Sequence, residues 1–136
     1  MKQFSKRLMN LIIPGVLLGF ATPVFGQDPI KANPDMYKVL VDNDEVRIYE
    51  GRFMPGAKAA THTHANKHYV YAITNATMTI TPQQGEARTL NVKAGEVIEG
   101  QAETHSSTNS GTTEVRLLII EPKGMSMKKE GDKKME

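Results

Sequence analysis

From Tyr37 onward, apolar and polar residues alternate in short runs, and turn residues cut each run. Tyr37 to Val41 ends at Asp42-Asn43-Asp44, and Glu45 to Phe53 ends at Met54-Pro55-Gly56. His68 to Thr74 ends at Asn75, Thr77 to Thr81 ends at Pro82 and Gly85, and Ala87 to Val92 ends at Lys93-Ala94-Gly95. Glu96 to Glu99 is short, and His105 to Asn109 ends at Ser110-Gly111. Glu114 to Ile120 is the most apolar run, and Glu121-Pro122 stops it. Runs of this length and composition, spaced by turn signals, predict strands of an all-β sandwich or barrel over residues 37–122. This stretch shows no long helical period. Residues 27–36, with Pro29 and Pro34, read as a linker or an edge segment. Residues 123–136 read as a charged, disordered tail.

The first residues follow a different pattern. Lys2, Lys6 and Arg7 make a basic start without acids, and Leu8 to Phe20 is mostly apolar. That run is short for a membrane span, and Pro14 and Gly15 interrupt it. Val24-Phe25-Gly26 offers a cleavage site, with Gly19-Phe20-Ala21 as a second. This is the layout of a secretory signal peptide over residues 1–26, so a secreted, periplasmic protein without a membrane span is expected.

Cleavage changes the charge. The whole chain has 17 Lys+Arg against 15 Asp+Glu, formally +2, and removing the three basic residues of Met1–Gly26 leaves 14 against 15, formally −1. No basic stripe with interleaved aromatics is present, so nucleic acid is not an expected partner. The chain has no cysteine. Disulfides, thiolate ligands, thiolate catalysis and a lipoprotein anchor are therefore excluded, and an exported domain must rely on its apolar core.

Four histidines remain as candidate chemistry: His62, His64, His68 and His105. Residues two apart on a strand share a face, so His62 and His64 project together. Even spacing brings His68 to the same face, and His105 closes the site from a distant strand. Imidazole is the commonest metal ligand among side chains, and three such ligands with an open position make a catalytic arrangement. The bland alternative, two exposed strand histidines, leaves His105 in the polar stretch ETHSSTN unexplained.

Gly56-x5-His62-x-His64-x3-His68 resembles the first motif of the cupin family, and Gly95 to Asn109, with His105-x3-Asn109, resembles the second. The resemblance spans roughly Asp42 to Pro122. It implies a double-stranded β-helix, a cupin jelly-roll barrel of roughly six to eight strands. It also implies a divalent metal held by His62, His64 and His105 in the barrel mouth. His68 stands where the family carries an acid or amide ligand. It becomes either a fourth ligand or an acid/base outside the ligand set. Gln101 and Glu103 replace a usual proline and a usual glycine.

Glu103 lies two residues before His105 and is a candidate proton carrier or imidazole partner, against the plainer reading of a solvent-facing acid. Glu99 is a weaker candidate of the same kind. Tyr69 and Tyr71 alternate away from His68 and are expected to pack rather than react. Arg52 and Arg116 are expected as exposed strand charges. Ser106, Ser107 and Ser110 lack a nucleophile elbow. Met125 and Met127 sit in the charged tail.

The resemblance implies a metal-dependent dioxygenase, isomerase or lyase acting on a small organic molecule, with Fe(II) favoured and Mn, Ni, Cu or Zn open. The competing readings are a non-catalytic barrel that binds a small ligand or a metal, and a metal-free partner-binding barrel. A homodimer is a further expectation from the resemblance.

Overall fold

The computed structural model describes residues 26–124. The expected leader lies almost wholly outside them, as do Met125, Met127 and the rest of the tail. A one-turn helix, α1 (Pro29–Ala32), precedes nine strands: β1 (Tyr37–Asp42), β2 (Val46–Phe53), β3 (Lys58–His64), β4 (His68–Ala72), β5 (Ala76–Pro82), β6 (Arg88–Val92), β7 (Val97–Gly100), β8 (Glu103–Asn109) and β9 (Val115–Pro122). Residues 27–36 are thus not all linker. The Asp28 carboxylate accepts the Ile30 and Lys31 N–H groups at 3.0 and 3.3 Å, and Pro29 sits at the first position, where its missing N–H is harmless. A single turn is too short to leave a period in the sequence. Among the described residues no helix is long and apolar enough to cross a membrane.

The strands form two antiparallel sheets, β1-β2-β9-β4-β7 and β3-β8-β5-β6. The nine strands exceed the expected six to eight because β1 pairs along β2 as an added edge. Gly56 and Gly95 close turns with φ of 76° and 90°, which a residue with a Cβ rarely adopts.

Alternation explains the core. Ala76, Met78 and Ile80 of β5 point inward with Val115 and Ile119 of β9 and Tyr49 and Phe53 of β2. Tyr37 meets Tyr49 and Phe53 edge-on, with ring centroids 5.4 and 5.9 Å apart. Each large apolar side chain buried here stabilises the fold by about 1.5–3 kcal/mol. At the far end Asn109 is fully buried, and its amide donates to the Phe53 and Thr113 carbonyls at 3.0 and 2.8 Å. It pins the turns there.

One irregularity matters for the site. β3 and β8 pair Ala59 with Ser107 and His62 with His105, so Ala60 and Thr61 together stand opposite Ser106. This β-bulge shifts the alternation by one residue. Ala59 faces the core before it, and His62 and His64 face the interior after it. Asn33, buried just beyond α1, clamps the bulge. Its Oδ1 accepts the Ala60 N–H at 2.6 Å.

Candidate metal centre

Three of the four histidines meet at one end of the barrel. His62 and His64 come from β3, and His105 comes from β8 directly across from His62. Their ring centroids make a nearly equilateral triangle with sides of 4.8, 5.0 and 5.2 Å. One ring nitrogen from each lies within 4.8 Å of the others, and all three side chains are buried.

His68 reaches the same end from β4, in the other sheet. It stacks on His64 with ring centroids 4.0 Å apart and stands outside the three-nitrogen group. Its register partner is Gly100. A Cβ at Gly100 would come within 2.3 Å of the His68 Nε2, so the ring occupies the space that the glycine leaves.

Every imidazole has an oxygen acceptor at Nδ1. His62 donates to the Ala60 carbonyl at 2.7 Å, His64 to Glu121 Oε1 at 2.6 Å, His105 to Glu103 Oε2 at 2.8 Å and His68 to the Asn66 carbonyl at 3.2 Å. An acceptor at Nδ1 places the proton there, and in the neutral ring the lone pair is then at Nε2. The bulge carbonyl that Asn33 supports is the one that orients His62. Burial lowers the pKa of His62 and His68 and takes that of His105 down to about 4, with neighbouring imidazoles adding to the effect. Glu103 opposes the shift at His105 through its hydrogen bond.

The two carboxylates behind the rings are held as anions. Glu103 is not the solvent-facing acid of the plainer expectation. It accepts two bonds from Arg88 at 2.9 and 2.6 Å as well as the one from His105. The Arg88 bonds are the main reason its pKa falls to about 2. Glu121 is the functional residue that sequence reasoning missed. Burial pushes its pKa up, but hydrogen bonds from His64, Arg47 and Tyr49 outweigh that and hold it at about 2. Arg47 Nε lies 2.9 Å from Oε2, the Tyr49 hydroxyl lies 2.8 Å from Oε1, and Arg47 reaches on to Asp28 at 2.5 Å. A chain of contacts therefore runs from the cap of α1 to His64.

The other candidates fall outside the ring of histidines. Glu99 is exposed at the mouth and pairs with Lys67. Arg52 and Arg116 are exposed and pair with Glu114 and Glu50, as expected of outward strand charges. Tyr69 and Tyr71 are exposed on the opposite face from His68. Ser107 is buried in the cavity wall.

Beneath the histidines lies a cavity of about 450 Å³. Its size falls in the range of small-molecule sites.

The donor chemistry fits a divalent transition metal. Three imidazoles offer Nε2 lone pairs to one point, while both carboxylates are engaged on the far side of the rings. The three rings themselves would bring no charge to such an ion, and the Glu103 and Glu121 anions stand behind two of them.

No protein-family model matches the chain. The β-alanine degradation protein BauB of Pseudomonas aeruginosa is 29% identical over 85 residues, 62% of this chain and 90% of that protein. A cupin domain from Bordetella pertussis superposes with a TM-score of 0.59 at 25% identity, over 63% of this chain and 90% of the other. The polyketide cyclase RemF of Streptomyces resistomycificus superposes with a TM-score of 0.50 at 25% identity, over 64% of this chain and 63% of the other. Two antiparallel sheets of the double-stranded β-helix, with histidines gathered at one end, define the cupin class of barrel. The chain has the double-stranded β-helix fold of the small cupins.

Proposed function

We propose that this chain is an exported cupin that holds one divalent transition metal on His62, His64 and His105 and turns over a small organic molecule in the cavity below. One observation carries the reading. Each of these rings has its Nδ1 proton taken by a fixed oxygen, so each Nε2 is preset as a donor. When bound, the metal supplies Lewis acidity or redox chemistry with dioxygen, and the family resemblance favours Fe(II) with Mn, Ni, Cu or Zn as alternatives.

The chain's own groups have distinct tasks. Glu103 and Glu121 orient His105 and His64. Glu103, held near a pKa of about 2 by Arg88, is a weak base at neutral pH and acts on His105 rather than as a proton carrier. His68 stands beside the ligands, and burial lowers its pKa, which keeps the ring neutral there. Three ligands rather than four leave an open position, which favours catalysis over closed storage of an ion. BauB's name offers β-alanine as a substrate. A zwitterion needs a cation and an anion to receive it, whereas Arg88 and Glu103 already satisfy each other.

The test is metal analysis of the chain from Gln27, expressed without an affinity tag into the periplasm. Near-stoichiometric metal is expected in the parent. Its loss is expected in His105→Ala and in the double variant His62→Ala/His64→Ala. Parent protein that stays metal-free after reconstitution would overturn the reading.

A further inference from the structure

We infer that the cavity takes an apolar, ring-bearing organic molecule with a single polar head, and excludes zwitterions and polyols. The inference rests on the proposed function only in taking the cavity under the histidines as the ligand site. Its walls decide the chemistry. Below the histidines they are Phe53, Val70, Met78, Ile80, Leu90 and Ile119 among other apolar side chains. Ala72 and Ala76 also line it, and their small side chains leave the room. Polar atoms lie at the histidine end, at Ser107 and at Tyr37, whose ring centroid is 6.2 Å from that of His62. The charges at the mouth are already matched: Arg88 makes two bonds to Glu103, and Glu99 receives Lys67 and Gln101.

A ligand entering this space leaves its water behind. Each hydroxyl or ammonium carried into the apolar part would meet no partner, at a cost of roughly ten-fold or more in affinity. A carbon ring there gains contacts on every side. A carboxylate or carbonyl fits only at the histidine end, which sets the orientation: head to the histidines, ring into the barrel. Met78 adds an adaptable wall that suits rings of several shapes.

Calorimetric titration with indole, phenylacetate and γ-aminobutyrate tests this, on metal-loaded protein and on protein stripped with a chelator. Indole is expected to bind both forms, because its ring uses the apolar walls and its one N–H is its only polar group. Phenylacetate is expected to bind the loaded form, and γ-aminobutyrate neither. Ala76→Phe and Leu90→Trp each fill the cavity and should weaken indole at least ten-fold, with metal content as the check on folding. Binding of γ-aminobutyrate, no binding of indole and phenylacetate, or indole affinity unchanged in both variants would each overturn the inference. Indole binding by a parent that holds no metal would uphold it while removing the metal reading.

Discussion

Glu121 shows how one residue can govern a site without facing it. Its carboxylate is the common acceptor for His64, Tyr49 and Arg47. Glu121→Gln keeps the shape but removes the anion and an acceptor. Loss of such a partner weakens metal binding by about 10–100-fold, and a competition titration with a chelating dye should show it. The residue was legible only in part. Val115 and Ile119 are buried on β9, so continued alternation turns Glu121 inward. An acid next to a proline reads as the end of a strand, and the counter-charge that makes its burial tolerable, Arg47, lies 74 residues away in sequence. Gly100 is the same kind of case. Nothing in the sequence marks it, yet Gly100→Ala should push the His68 ring off His64 and cost about 1–3 kcal/mol of stability, read by urea unfolding.

The strands were readable because alternation and turn residues are local signals. His62 and His64 could be placed on one face for the same reason, and the register pairing of β3 with β8 sets His105 directly across from His62. The extent of β3 was not readable, because its bulge breaks the alternation that would have delimited it. Nor was α1, whose importance lies in its contacts rather than its length. Asn33 carries the bulge, so Asn33→Ala should remove the acceptor of the half-buried Ala60 N–H and cost about 1 kcal/mol. Asn33→Asp keeps the accepting oxygen and should recover part of that loss. Thermal unfolding of the pair checks both.

The two sheets shape a closed apolar end and an end lined by titratable groups, so stability must follow pH. His105 falls from an ordinary 6.5 to about 4 in the fold. Its contribution in metal-free protein is complete above pH 6.5 and is lost as pH falls through 4, with His62 and His68 shifting the same way. Glu103 and Glu121 fall from 4.5 to about 2, so their contribution is present above pH 4.5 and is lost toward pH 2. Urea unfolding of the stripped protein should therefore weaken in two successive steps on acidification. Added metal should restore the upper step, since it binds only the folded site.

The doubled position opposite Ser106 also means that β3 carries a spare length of chain. Taking out Thr61 would let Ala60 alone face Ser106, and Ala59 and His62 would then fall into step two places apart. Such a shortened protein should keep His62 and His64 facing inward, while losing the bulge carbonyl that orients His62. A cut of the same size at Thr63 would instead send His64 to the outside. In this strand the position of a deletion, not its size, decides which way the histidines face.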